Sequence, residues 1–248
     1  MEDIKDCIII KPTASGFGQY VYCGVKLFLD KNPKLDSFRK GIHDSYEESQ
    51  KSQSLKIGKQ NEHKCIEWIM TRYKTGSILF DGTGRANKHS FTTNISPFKV
   101  TLHCRPDLII KHEDQTILYE FKSVGERHYL TYPEFDSTHA QVWCYRFIKD
   151  FKIDRYYSFR YFEDPSMQGA FPSITELKNT ELSDEKFIPL FEQYIDAIKT
   201  INRIRTAPMR PYSNNILSKF YKPINEPEKC NHCIYSRYEY CDPKYRPR

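Results

Sequence analysis

The sequence predicts an α/β domain, and three observations carry that prediction. Glu62, Ile66, Ile69 and Tyr73 recur at spacings of four, three and four, which is one face of a helix. Two strand-like runs, Lys99–Lys111 and Thr116–Val124, flank the polar turn His112-Glu113-Asp114-Gln115 and read as an antiparallel pair. A second long helix, Asp184–Arg205, follows an aromatic strand. Helix, small sheet, helix, strand and helix in that order define an α/β unit.

Taken in chain order, residues 1–56 form an N-terminal segment that is mostly helical, with Tyr20, Tyr22, Leu27, Phe28 and Leu29 as its apolar content, before a polar stretch around 45–54. A core is expected over 57–206. Its first helix ends near Gly76, where glycine favours a C-terminal cap. The short apolar run Ser77–Asp81 is expected to form a hairpin with Phe91–Asn94 across a loop carrying Gly82, Gly84 and Asn87. After the antiparallel pair, Glu134–Phe151 reads as a helix, with Thr131 and Glu134 at capping-box spacing and Pro133 suited to the first turn. Asp154–Phe162, with five aromatics in nine residues, reads as a strand. Ser183 is the expected N-cap of the last helix, whose buried side is Phe187, Phe191, Tyr194, Ile195, Ile198 and Ile201. Beyond it, 207–248 is a proline-punctuated connector and a cysteine-rich tail.

Composition narrows the function classes. The 248 residues carry 38 Lys+Arg against 32 Asp+Glu, a net charge of +6, which permits a polyanionic partner without requiring one. With 28% charged and 15% aromatic residues the chain is not a disordered one. No apolar run approaches the roughly 18–20 residues of a membrane helix. The start Met1-Glu2-Asp3-Ile4-Lys5-Asp6 lacks the layout of a secretion signal. The expectation is an intracellular, cytoplasmic protein with no membrane partner. In that setting the eight cysteines are expected as thiols or metal ligands, and three of them, Cys230, Cys233 and Cys241, fall in the last nineteen residues.

The chemistry centres on Arg105-Pro106-Asp107, twelve intervening residues, and Glu120-Phe121-Lys122. An Asp at the end of one strand and a Glu on its antiparallel neighbour meet across the pair. Lys122 shares the face of Glu120, because side chains alternate with period two. Such hard oxygen ligands suit Mg²⁺ or Mn²⁺, which bind phosphate oxygens at the same time. The cation can polarise a phosphodiester and acidify a water, and the ammonium can orient that water or stabilise developing charge. The same Glu-x-Lys can also be the solvent side of an amphipathic strand. Gln141 and Tyr145, four apart, share a helix face; Glu62 heads an otherwise apolar stripe, a position that costs free energy unless a metal, a hydrogen bond or solvent meets it.

Gly58-x-x-x-Glu62, Pro106-Asp107, Glu120-x-Lys122 and Gln141-x-x-x-Tyr145 stand in an order that resembles the PD-(D/E)XK nuclease superfamily, in its RecB-like exonuclease branch. The resemblance implies a restriction-endonuclease-like core, a central mixed β-sheet flanked by helices, and a metal-dependent deoxyribonuclease acting as an exonuclease on single-stranded DNA. Asp107 and Glu120 would hold Mg²⁺ or Mn²⁺ with Glu62 or His63 and the strand carbonyl near Phe121. The branch commonly has His where Glu62 falls, and His63 is adjacent. Lys122 would position the attacking water, and Gln141 and Tyr145 would steady the site or the DNA backbone.

The resemblance extends to both ends of the chain. Iron-sulfur members of the branch, among them CRISPR-associated exonucleases and AddB-type nuclease domains, place one cysteine before the core and three after it. Cys23 would be the first here, and Cys230, Cys233 and Cys241 the others, holding a 4Fe-4S cluster. Zinc is the alternative metal, with His232 as a ligand in place of Cys23. Cys65, Cys104 and Cys144 lie in apolar stretches and are expected to be buried; Cys7 carries no signal. Lys229, Arg237, Tyr238, Tyr240, Lys244, Tyr245, Arg246 and Arg248 mix cations with aromatics, as single-strand-binding segments do, or else form a solvated tail. Arg127 and His128 follow the Glu-x-Lys strand closely enough to touch the scissile strand. Any unwinding would need a helicase partner, since no phosphate-cradling Gly-x-x-x-x-Gly-Lys-Ser/Thr loop is present. A recombination or CRISPR-adaptation protein is the other expected partner. The competing function is a nucleic-acid-binding subunit of a larger complex with weak or no catalysis.

Overall fold

The computed structural model describes residues 10–31, 62–83, 90–95, 98–123, 136–164 and 169–206. Helices α1 (Ala14–Tyr22) and α2 (Gly24–Asp30) open the chain, and helical residues 62–72 form α3. Strands β1 (Ser77–Asp81), β2 (Phe91–Ile95), β3 (Val100–Cys104), β4 (Leu108–His112) and β5 (Gln115–Ser123) follow. Helix α4 (Asp136–Tyr145), strands β6 (Arg155–Asp164) and β7 (Gly169–Glu176), and helix α5 (Asp184–Thr206) complete it.

A five-stranded sheet runs in the order β1-β4-β5-β6-β7, and β2 and β3 form a separate two-stranded sheet. Strands β5 and β6 are parallel and the other pairs antiparallel. A parallel pair requires a crossover, and α4 lies within that connection. The protein is thus a mixed α/β structure whose central mixed sheet is flanked by helices.

Two apolar layers sandwich the sheet. On one face α3 contributes Cys65, Ile66 and Ile69 against Ile117, Tyr119, Phe121, Phe159 and Tyr161. On the other, α1, α2, α4 and α5 bring Phe17, Phe28, Trp143, Phe187 and Phe191 together with Leu118 and the β2–β3 sheet. All six residues expected on the inner side of α5 are buried. So are Cys65, Cys104 and Cys144, and burial pushes the thiols of Cys65 and Cys104 up to about 12. Such thiols are inert at neutral pH. Ser183 caps α5 as expected, its hydroxyl accepting from the Lys186 N–H at 3.3 Å.

Three expectations are corrected, and one strand is new. Ser77–Asp81 does not pair with Phe91–Asn94: β1 pairs with β4 and β2 with β3, and the Gly82 N–H on the Asp107 carbonyl continues the β1–β4 ladder past the end of both strands. Lys99–Lys111 is two strands in two sheets, broken at Arg105-Pro106-Asp107, where proline cannot donate to a ladder. Helix α4 ends at Tyr145 and not at Phe151. Arg146, Phe147 and Ile148 donate instead to carbonyls three residues back, a tightened terminal turn, and the Thr93 hydroxyl takes the Phe147 carbonyl. Finally β7 was not anticipated; Gly169 and Pro172 argue against a strand, yet Pro is tolerated on a sheet edge, which β7 is.

Among the described residues no helix is long and apolar enough to cross a membrane. Gly58, Gly84, Asn87, Arg127, His128, Thr131, Pro133, Glu134, Cys7, Cys230, His232, Cys233, Cys241 and the basic-aromatic residues of the tail lie outside the described residues.

Candidate active site

The register of β4 and β5 builds the site. Leu108 pairs with Tyr119, so the residue before β4, Asp107, lies beside the Glu120–Phe121 step. The Phe121 N–H donates to Asp107 Oδ2 at 2.7 Å, tying the loop carboxylate to the neighbouring strand. Glu120 is 1% exposed and sits on the face opposite Phe121. Lys122 shares that face, and its ammonium donates to Glu120 Oε1. It also reaches Gln141 Oε1 at 3.4 Å.

Helix α4 completes the cluster. Gln141 Nε2 donates to the Tyr145 hydroxyl at 2.8 Å, so the pair four apart does share a face. That hydroxyl has one proton to give; it stands 3.1 Å from the Arg105 carbonyl and 3.2 Å from Glu120 Oε2. Sequence-predicted Asp107, Glu120, Lys122, Gln141 and Tyr145 therefore converge on one place. Glu62, half-buried at the start of α3, is close enough for its charge to act on Asp107 and Lys122, whereas His63 is exposed. The stripe that begins at Glu62 continues into Ile66 and Ile69, which pack in the apolar layer on the sheet. Phe121 holds its place through its backbone while its ring packs on Phe159 at 5.6 Å.

The electrostatics follow from crowding carboxylates. Burial, and then the Glu120 charge, raise Asp107 well above the usual carboxylate range, while Lys122 and the Phe121 N–H oppose this. Burial alone would lower Lys122, but Glu120, Asp107 and Glu62 outweigh it and hold the ammonium above its ordinary value. Burial, and then Glu120 and Asp107, raise the Tyr145 phenol, which stays protonated. A cation placed among these groups would relieve the repulsion that raises Asp107. Among the described residues no three of His, Cys, Asp and Glu gather closely enough to hold a metal alone. Two carboxylates are nonetheless what Mg²⁺ or Mn²⁺ takes when water and substrate phosphate oxygens supply the remainder, so the donor set fits.

Two glycines position the site, and neither was singled out for this from the sequence. The Gly82 N–H donates to the Asp107 carbonyl at 2.8 Å. A Cβ on Gly82 would stand 2.1 Å from the Pro106 carbonyl oxygen, so only glycine lets the end of β1 lie against the Pro-Asp step. A Cβ on Gly18 would meet the Ser137 carbonyl at 2.6 Å and Gln141 Cβ at 3.3 Å. Helix α1 thus rests directly on the part of α4 that presents Gln141. Its other side is held by α5, where the Tyr194 hydroxyl accepts from the Thr13 N–H at 3.0 Å. Cys23 is half-buried at the junction of α1 and α2, its sulfur accepting from the Lys26 N–H at 3.3 Å as the N-cap of α2.

No family model matches the sequence, and no curated protein does. Among solved structures the chain is similar to SSO0001, at 13% identity and a TM-score of 0.46, over 94% of this chain and 85% of that one. It is also similar to the alkaline exonuclease LHK-Exo from Laribacter hongkongensis, at 13% identity and a TM-score of 0.38, over 78% of this chain and 92% of that one.

Proposed function

We propose that this protein is a metal-dependent DNA nuclease with a restriction-endonuclease-like core of the PD-(D/E)XK type, in the RecB-like branch. The observation that carries the reading is the convergence of Asp107, Glu120 and Lys122 with the Gln141–Tyr145 pair across β4, β5 and α4. The solvent-face alternative for Glu-x-Lys does not account for a glutamate that is 1% exposed and engaged by both an ammonium and a phenol. A buried carboxylate is retained only where it is paired or binds a cation.

Asp107 and Glu120, with the strand carbonyl near Phe121, would hold Mg²⁺ or Mn²⁺, and Glu62 or His63 at the start of α3 would complete the set only as substrate and metal enter. That cation would polarise a phosphodiester and acidify a water. Lys122 orients the attacking water and offsets charge developing on the phosphoryl oxygens. Tyr145 keeps Glu120 Oε2 in place through its hydroxyl, and Gln141 restrains both Tyr145 and Lys122. Single-stranded DNA is the substrate we favour, cut to 5′-phosphate and 3′-hydroxyl ends. Cys23, Cys230, Cys233 and Cys241 are proposed to carry a 4Fe-4S cluster. Anaerobically purified protein should then be brown and absorb near ~400 nm, whereas a colourless zinc-loaded preparation would exclude the cluster.

The decisive assay is cleavage of end-labelled single-stranded and duplex DNA in Mg²⁺, Mn²⁺ or EDTA by wild type, Asp107→Ala and Lys122→Ala. Metal-dependent cleavage that both variants lose establishes the site, and the ladder from each labelled end gives the polarity. A wild type that binds DNA and cuts no substrate sinks the nuclease reading in favour of a binding subunit.

A further inference from the structure

We propose that the flank of α3 and the start of β6 form a stacking platform for single-stranded DNA, a second binding surface outside the active site; this extends the nuclease reading and rests on its choice of substrate. Four rings stand half-buried on this side of the sheet: Trp68 on α3, Tyr73 just past its end, His112 closing β4 and Tyr157 on β6. Each is held in place by a neighbour. Trp68 meets Phe159 edge-on at 5.6 Å, and Tyr157 lies parallel to the fully buried Tyr119, with centroids 5.3 Å apart. The Tyr119 hydroxyl donates to that of Tyr73 at 3.1 Å, and the Tyr73 ring stands 4.6 Å from His112. The sheet therefore fixes the rings while part of each stays open to solvent.

The charges on this surface say what would cover it. Arg72, one helical turn beyond Trp68, holds its guanidinium 5.5 Å from the centre of that ring. Arg155 donates from Nη1 to the Tyr157 hydroxyl at 3.3 Å. Both arginines are exposed. Arg155 Nε also meets Glu176 at 3.9 Å, a contact between two side chains near half exposed, which solvent weakens. A protein partner would ask for a continuous apolar patch, and the two arginines interrupt one. A single strand asks for this mixture: its bases stack on rings and on guanidinium planes, and the N–H edges donate to its phosphates. A duplex keeps its base faces inside and offers none to these rings. The platform joins the site through α3, which opens at Glu62, close enough to act on Asp107 and Lys122. Trp68 lies about 9 Å further along the helix axis, so a strand leaving the site past the start of α3 would meet it there.

Trp68 supplies its own probe, because the chain's other tryptophan, Trp143, is fully buried. Tryptophan emission of the full chain is quenched with acrylamide in EDTA, with and without a single-stranded oligonucleotide whose binding is followed by the anisotropy of an end label. Bound oligonucleotide should lower the quenching constant of wild type toward that of Trp68→Phe, in which Trp143 alone emits. Trp68→Ala should bind about 10- to 100-fold more weakly. Arg72→Ala, a substitution at an exposed position, should lower the slope of log affinity against log salt by about 0.7. A wild type that binds the oligonucleotide without protecting its indole overturns the proposal, and so does an affinity and salt slope unchanged in Arg72→Ala. Equal protection by a duplex of the same sequence refutes stacking. Protection that grows with protein concentration in the absence of DNA assigns the surface to a second copy and overturns the proposal as well. Cleavage is read in parallel in Mg²⁺ and Mn²⁺. Protection without cleavage in either metal would remove the nuclease reading and leave the platform standing, whereas cleavage without protection would do the reverse. Absence of DNA binding in wild type would remove both.

Discussion

The two faces of β5 and β6 are made from the same strands and do opposite things. Toward α3, Ile117, Tyr119, Phe121 and Phe159 are buried among apolar groups. Toward α4, Leu118 gives way to Glu120 and then Lys122 on one strand, and Tyr156 to Ser158 and Arg160 on the next. Every buried polar residue described on these strands, Thr116, Glu120, Ser158 and Arg160, falls on the second face. Period-two alternation lets one strand be core on one side and site on the other. The apolar face fixes the register, because a slip of one residue would turn Glu120 into the α3 layer. The cost of burying charge is thereby confined to the face that has partners for it.

The sharpest break of this comparison is to remove charge from the site face. Lys122→Ala and Asp107→Asn should each lower cleavage about 10²- to 10⁴-fold, measured as single-turnover rates. Stability should move the other way in Asp107→Asn. Its carboxyl is held well above the ordinary 3.8, first by burial and then by Glu120. The native state then binds more protons than the unfolded one above that value, so stability falls as pH rises toward the raised native pKa. Removing the charge should raise the melting temperature at neutral pH and flatten this acid-side dependence, while activity is lost. An Asp107→Asn protein that melts lower than wild type at pH 7 contradicts the crowding of carboxylates described above. Lys122 runs in the opposite sense: its folded pKa is raised, so its contribution is complete below 10.5 and disappears as pH climbs through the folded value.

Truncating an aromatic on each face separates stability from function. Trp143→Ala and Phe159→Ala each empty a fully buried position and should cost about 3–5 kcal/mol in denaturant melts. Trp143 also donates to Asp184 Oδ1 at 2.9 Å, fixing α4 to α5. Loss of that anchor should lower the cleavage rate of the remaining folded protein, because α4 carries Gln141 and Tyr145. Equal rate losses from both truncations would mean that the two faces are not separable in this way. Gly82→Ala is smaller in stability, about 1–3 kcal/mol, since its Cβ meets backbone at Pro106 that cannot move aside cheaply. It should still depress activity by up to about 10²-fold, because the Asp107 carboxylate shifts with that backbone.

Much of this was legible in the amino-acid order, and the reasons differ between elements. The β4–β5 pair was readable because its turn residues and apolar runs are local, and the period-two rule then placed Glu120 and Lys122 together. The Gln141–Tyr145 pair was readable because four residues make one helical turn. Pairing of β1 was not, since Ser77–Asp81 and Leu108–Lys111 are joined only through the fold. That Glu62 is half-buried and His63 exposed follows from the rotation of α3, which spacing alone does not set. Arg160 was hidden in an aromatic strand: its place beside Lys122 depends on a parallel register across the crossover that contains α4. The glycine contacts were hidden for a similar reason, as close approach is a property of two segments and the sequence lists only one at a time.

The smallest effect tests what pins the register that places Asp107 opposite Glu120. The β4–β5 connection turns at Glu113 and Asp114, between the paired His112 and Gln115. Glu113 sits at φ 52°, in the left-handed region where a side chain is disfavoured and glycine is not. Glu113→Gly should stabilise the protein by up to about 1 kcal/mol, the relief of the left-handed side chain exceeding the added freedom of the unfolded chain. Cleavage should not change, because the register is held by Leu108, Ile110, Ile117 and Tyr119 packed under α3 and not by the turn. A rate that rises or falls several-fold in Glu113→Gly would show that turn strain feeds into the placement of Asp107, and the apolar face would then share control of the site with the hairpin.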